Sequence, residues 1–336
     1  MFGCSPGFCK IPETLIAEPE QKSHLAFWAY SAAFLGVFGH ATSEFFSVYS
    51  GLKGPEVSVW RFTIGGVALL VVALIQKESR NLLQPVFEKP FLVIPLAVFG
   101  MSMAQLVFHW SLDFASVVQV ATIVTTMPIL VVLVDRIINK SPVSAPKIVS
   151  GIGAFIGVIF LLTDGYLDQL ELGGNSLIGI ALALCCAVVG AFYLVLVRPL
   201  IQEYGAVRMT ALTFIIGAFA LWITVHLVWE ITVNPLTLFE RPPQAYWSIL
   251  ALGIWNTCIG FILWLWGISN APDISRANYL FFLKPVIAAV MAWIILGNTI
   301  SGLQILAILM VTGFVALEMS YNSLIGKWQE CRGPHS

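Results

Sequence analysis

Lys284 sits deep in an apolar run and immediately precedes Pro285. It lies eleven residues beyond Asp273, or about 16 Å along a helix rising 1.5 Å per residue. That is the middle of a bilayer, where a charged side chain costs around 2.5–3.5 kcal/mol on insertion scales. Proline lacks the N–H that continues a helix and frees a carbonyl beside it. An ammonium next to such a break can attract a carboxylate or a phosphate. Two readings follow: Lys284 lines a transport cavity, or it pairs with a carboxylate on another helix.

His40 and Glu44 are four residues apart and would share one face of a continuous helix. Arg61 is expected about 9 Å below the outer end of the next apolar run, level with Glu44. The sequence therefore predicts a Glu44–Arg61 ion pair, as a structural lock or as a gate with His40 as its titrating member. His109 reads as an interfacial histidine, and Arg276 as a side chain that snorkels to the headgroups. Gln119, Thr122, Thr125 and Asn278 fall within about three helical turns of Pro128 and Pro285, the two expected helix breaks. Tyr193, Asn256 and Trp264 are also deep. With Lys284, the set Gln119, Thr122, Tyr193, Asn256, Asn278 and Trp264 forms the expected substrate cavity. Threonine hydroxyls commonly bond carbonyls of their own helix, which is the competing role for Thr122 and Thr125.

Composition fixes the setting of these groups. Of 336 residues, 58% are hydrophobic and 10% charged, against roughly 45–50% and about 25% in soluble domains. Apolar runs long enough for spanning helices carry the excess. They are too long and continuous for the alternating strands of a β-barrel. With 17 Lys and Arg against 18 Asp and Glu, nothing favours nucleic acid as a partner. At about 20 residues per span, ten spans are expected, near 25–49, 56–76, 91–112, 114–137, 145–163, 176–199, 207–230, 246–269, 274–296 and 300–321. The fold expected is an all-α membrane protein, multi-pass, in the cell membrane.

Twelve Lys and Arg fall in the tails and loops on the side of the N-terminus, and only Lys53 and Arg241 in loops on the other. By the positive-inside rule both termini are cytoplasmic. Residues 1–24 form an N-terminal tail without an apolar signal core, and 322–336 a C-terminal tail. Cys4 and Cys9 in that first tail lack the further ligands a metal site needs, and no cofactor is expected.

The halves 25–163 and 176–321 echo each other. Gly39 and Gly66 match Gly190 and Gly217 at an offset of 151, Gly100 matches Gly253, Pro128 matches Pro285, and Gly157 matches Gly313. Five spans per half is odd, so the second copy would be inverted, an arrangement used for alternating access.

Trp60-Arg61-Phe62, the region of Pro128, Tyr279-Leu-Phe-Phe-Leu-Lys-Pro-Val286 and Ala292-Trp-Ile-Ile-Leu-Gly297 resemble the drug/metabolite transporter superfamily, specifically its EamA-type ten-helix members. The resemblance covers about residues 25–321. It implies ten helices, cytoplasmic termini, a cavity between the halves and, usually, export of small metabolites or amino acids. One position departs: Asn298 follows Gly297 where many members carry Glu, so a role of that Glu is not carried over.

The function expected is a secondary transporter, an exporter by resemblance, for a small polar or amphiphilic metabolite such as an amino acid. It would act as a monomer or homodimer within the lipid bilayer, with a coupling proton as a further partner. The alternatives are an intramembrane lipid-modifying enzyme, for which no nucleophile or metal constellation is evident, and a non-transporting scaffold or channel.

Overall fold

A computed structural model describes residues 19–165, 176–296 and 299–332. The N-terminal tail with Cys4 and Cys9, and Gly297 with Asn298, lie outside them. The described residues are helical throughout their long segments, as lipid demands of a backbone that must satisfy its own polar groups. Nine helical stretches among them are long and apolar enough to cross a membrane.

The chain begins with α1 (Pro19–His40) and α2 (Ser43–Tyr49), followed by α3 (Gly54–Ile75). Then come α4 (Pro90–Ser111), α5 (Val117–Val124), α6 (Met127–Asn139) and α7 (Ala145–Thr163). The second half comprises α8 (Ser176–Tyr204), α9 (Ala206–Trp229), α10 (Pro243–Asn270), α11 (Ile274–Asn278), α12 (Leu283–Leu296) and α13 (Gly302–Arg332). Prolines in the first turns of α3, α4, α6, α7 and α10 sit where their missing N–H has no helical partner to lose. Ser116 and Gln119 form a reciprocal capping box at the start of α5. The Asp113 carboxylate accepts the Gly54 N–H at 2.9 Å and so closes the start of α3.

Breaks recur at matched places in the two halves. Gly100 and Gly253 each lie within a π-helical segment, Leu96–Ser102 and Ala251–Gly260. Thr125 and Thr126 interrupt α5 and α6 two residues before Pro128, and a 3-10 turn, Tyr279–Phe282, precedes Pro285. The hydroxyls of Thr122, Thr125 and Thr126 bond the carbonyls of Val118, Ala121 and Ile123, so these threonines are spent on their own backbone.

Packing follows the same exchange of halves. α1 lies against α10 and α8 against α4, while α3 pairs with α9 and α7 with α13. The α1–α10 seam is lined by small residues. A Cβ on Gly36 would overlap the backbone of Trp264, and one on Gly267 that of Ala29 and Ala33. Such close approach is how membrane helices gain packing energy when water exclusion offers none between them.

Candidate functional site

Residues of both halves surround a central cavity of about 60 Å³. That is room for a few water molecules and well below the roughly 300–1,000 Å³ of ligand pockets. His40 and Ser43 reach it from α1 and α2, Arg61 from α3, Met101 and Gln105 from α4, and Met127 from α6. The second half contributes Cys186, Tyr193 and Leu194 from α8, Trp264 from α10, and Phe281 and Lys284 from the broken helix around Pro285.

Arg61 is 1% exposed. Its Nε donates to Thr257 Oγ1 at 2.9 Å, and its Nη1 donates to Gln105 Oε1 at 2.9 Å and Ser43 Oγ at 3.1 Å. His109 Nε2 lies 3.3 Å from the same Nη1, and His109 Nδ1 lies 2.8 Å from Ser58 Oγ. The guanidinium also stands 5.7 Å from the Phe261 ring centre. No carboxylate lies within 4 Å of it among the described residues.

The expected Glu44–Arg61 pair is therefore replaced by another. The Lys284 ammonium donates to the Glu44 carboxylate and lies 5.6 Å from the Phe108 ring and 5.4 Å from the Phe281 ring. The cause is a break in the first helix. α1 ends at His40 and α2 begins at Ser43, so His40 and Glu44 do not share a continuous helical face. His40 turns to the central cavity, edge-on to Phe261 and Trp264 at 4.5 and 4.9 Å. Glu44 turns to a lateral cleft of about 340 Å³. Ala41, Phe45, Val48, Val117, Ala121 and Pro285 line that cleft, and Lys284 borders both spaces. The pair thus forms part of the partition between them. Lys284 combines both readings made of it, as an ion-pair member and as a cavity wall.

The other expected site residues divide. Tyr193 and Trp264 line the cavity, although the Tyr193 hydroxyl points away to Thr213 Oγ1 at 3.4 Å. Gln119, Thr122, Asn256 and Asn278 do not line it. Asn256 Nδ2 instead donates to the Gly39 carbonyl and, at 2.9 Å, to Thr42 Oγ1, bracing the break between α1 and α2. His109 is fully buried beside Arg61 rather than interfacial. Ser43, Gln105 and Thr257 escaped the sequence reading. Gln105 is one turn before His109 on α4, a spacing that could have flagged it.

A second polar cluster ties the ends of several helices together. Lys147 pairs with Asp273 at 2.5 Å, and Tyr279 donates to the Lys147 carbonyl. Arg276 is buried and pairs with Glu318 at 3.4 Å, so it does not snorkel as expected. Glu318, on α13, is the partner that the sequence reading did not consider. Burial works to raise the Asp273 carboxyl, but the Lys147 ammonium and the Arg276 backbone N–H together hold it below the ordinary carboxylate range. The Asp273 carboxyl is accordingly ionised at neutral pH.

The profile of the EamA-like transporter family matches this chain twice, over residues 27–163 and 177–319. The chain is 25% identical over 282 residues to the Uncharacterized transporter YyaM of Bacillus subtilis (strain 168), covering 82% of this chain and 88% of the relative. An uncharacterized transporter of Clostridium kluyveri is 25% identical over 245 residues, covering 73% and 76%. A protein of known crystal structure superposes with a TM-score of 0.71 at 18% identity, covering 92% of this chain and 99% of that one.

Proposed function

The chain belongs to the EamA-like transporter family, and from that premise we propose that it is a secondary transporter exporting a small polar or amphiphilic metabolite, an amino acid or an organic acid, by alternating access. It is an integral multi-pass membrane protein. In this reading α1 and α2 form a tenth span, the two halves are inverted repeats, and both termini are cytoplasmic. The distribution of Lys and Arg supports the orientation.

One observation carries the proposal. The central cavity is built from both matched halves, and the Glu44–Lys284 pair joins α2 of the first half to α12 of the second beside it. At about 60 Å³ the cavity is the contracted form, and a metabolite enters when the halves part. Parting them on one side while the pair and the Lys147–Asp273 cluster hold elsewhere is alternating access in physical terms.

Side-specific thiol labelling tests this. In a protein whose other cysteines are replaced, Cys186 in the cavity wall should react with a membrane-impermeant reagent from either face of the membrane, in different conformations. Single cysteines at Ser141 and Asn234 should react from the cytoplasmic and the opposite face only. A Cys186 that reacts from one face under every condition would refute alternating access, and reversed labelling at Ser141 and Asn234 would refute the orientation.

A further inference from the structure

We propose that the central cavity binds a monovalent carboxylate with an apolar body, its carboxylate held by Arg61, His40 and Trp264; this rests on the transporter reading above and names the substrate class. Charge comes first. Arg61 and Lys284 bring two positive charges to the cavity, and Glu44, the one carboxylate paired there among the described residues, brings one negative. The buried cluster is one anion short before its histidines are counted. Arg61 bears the imbalance, because its hydrogen-bond partners Thr257, Ser43, Gln105 and His109 include no carboxylate. A guanidinium so fully buried attracts an anion much more strongly than an exposed one does, and its planar fork matches a carboxylate.

Two further residues line the same space. Trp264 Nε1 and His40 Nε2 are buried, belong to residues lining the cavity, and have no hydrogen-bond partner among the described residues. The indole N–H can only donate, and the imidazole nitrogen can donate when it carries the proton. Buried polar groups are ordinarily satisfied, so two orphans on residues that share a cavity with a guanidinium lacking a carboxylate partner suit acceptor oxygens.

The remaining wall sets the body of the ligand. Met101, Phe108, Leu194 and Phe281 present thioether, aromatic and aliphatic surface. Glu44 is engaged by Lys284 and faces the lateral cleft, and among the described residues no other carboxylate lines the cavity to receive a substrate ammonium. A second negative charge on the ligand would overshoot the single charge the cluster lacks. The site therefore favours a monocarboxylate over an amine, a zwitterion or a dicarboxylate.

Three molecules with one 3-methylbutyl body separate these cases: 4-methylpentanoate, leucine and 3-methylbutylamine. The full-length protein in detergent at pH 7 should gain thermal stability saturably with 4-methylpentanoate, by mass action, and far less with the other two. Trp264→Phe stays aromatic but deletes the N–H together with part of the indole ring. It should fold with a somewhat lower melting point when free, and bind the carboxylate about tenfold more weakly, as expected for a lost hydrogen bond to a charged group. Arg61→Lys should bind more weakly too, because an ammonium does not reproduce the guanidinium fork. Equal stabilisation by the amine, or unchanged affinity in Trp264→Phe, overturns the site. Carboxylate binding without flux through vesicles keeps the site and removes the transporter reading. Flux of leucine or the amine without 4-methylpentanoate binding does the reverse.

Discussion

Glu44→Gln should reduce transport to background and lower the unfolding midpoint sharply, and adding Lys284→Met should restore the midpoint without restoring transport. The single change leaves the Lys284 ammonium buried without its carboxylate, and stranding one member of a buried pair costs about 3–5 kcal/mol. Replacing both members with neutral groups removes that cost, because no charge then remains to be desolvated. Lys284→Met alone should also lower the midpoint, since it strands the Glu44 carboxylate in turn. Flux fails in all three proteins because nothing then ties α2 to α12 at the partition between the cavity and the lateral cleft. Exchanging Glu44 and Arg61 should rescue nothing, since Arg61 is held by neutral acceptors. Midpoints in detergent for the four proteins of the cycle give the coupling directly. Additive single effects would contradict the pair.

Gly36→Leu should yield no folded protein. The Gly36 Cα faces the backbone of Trp264 so closely that even a methyl group would overlap it, and a backbone cannot rotate aside as a side chain can. Overpacking costs about 1–3 kcal/mol or more in a core with some freedom, and here it pries apart α1 and α10, which carry His40 and Trp264. Gly36→Ala should already lower the yield of monodisperse protein on size-exclusion chromatography. Gly313→Ala, where a methyl group meets nothing within 4 Å, should match wild type. A monodisperse Gly36→Leu protein with wild-type yield would show that the seam is looser than described.

The two sites separate what the sequence reveals from what it hides. The apolar runs and the matched glycines and prolines are periodic, one-dimensional signals, and they locate the helices and their interruptions. Gly100 and Gly253 mark π-helical segments, and Pro128 and Pro285 each follow a break. Polar and aromatic side chains inside apolar runs are legible too, and of these Lys284, Trp264 and Tyr193 line the central cavity. Rotation about the helix axis is not legible. Glu44 and Arg61 are level by residue count, yet the turn at Ala41 and Thr42 swings Glu44 toward the lateral cleft and Lys284. Asn256 was recognised as a deep amide in need of a partner, but that partner is the backbone exposed by the same turn. Arg276 read as a snorkelling side chain because Glu318 lies 42 residues further on, a distance no local pattern spans.

Flux through the purified protein tests the central claim most directly. Proteoliposomes loaded with one labelled compound at a time, drawn from a panel of amino acids and monocarboxylates, should release at least one faster than protein-free vesicles. The rate should saturate with concentration and fall to background in the Glu44→Gln protein. Release from every loading no faster than from protein-free vesicles, with a preparation that is monodisperse and folded, would contradict the account.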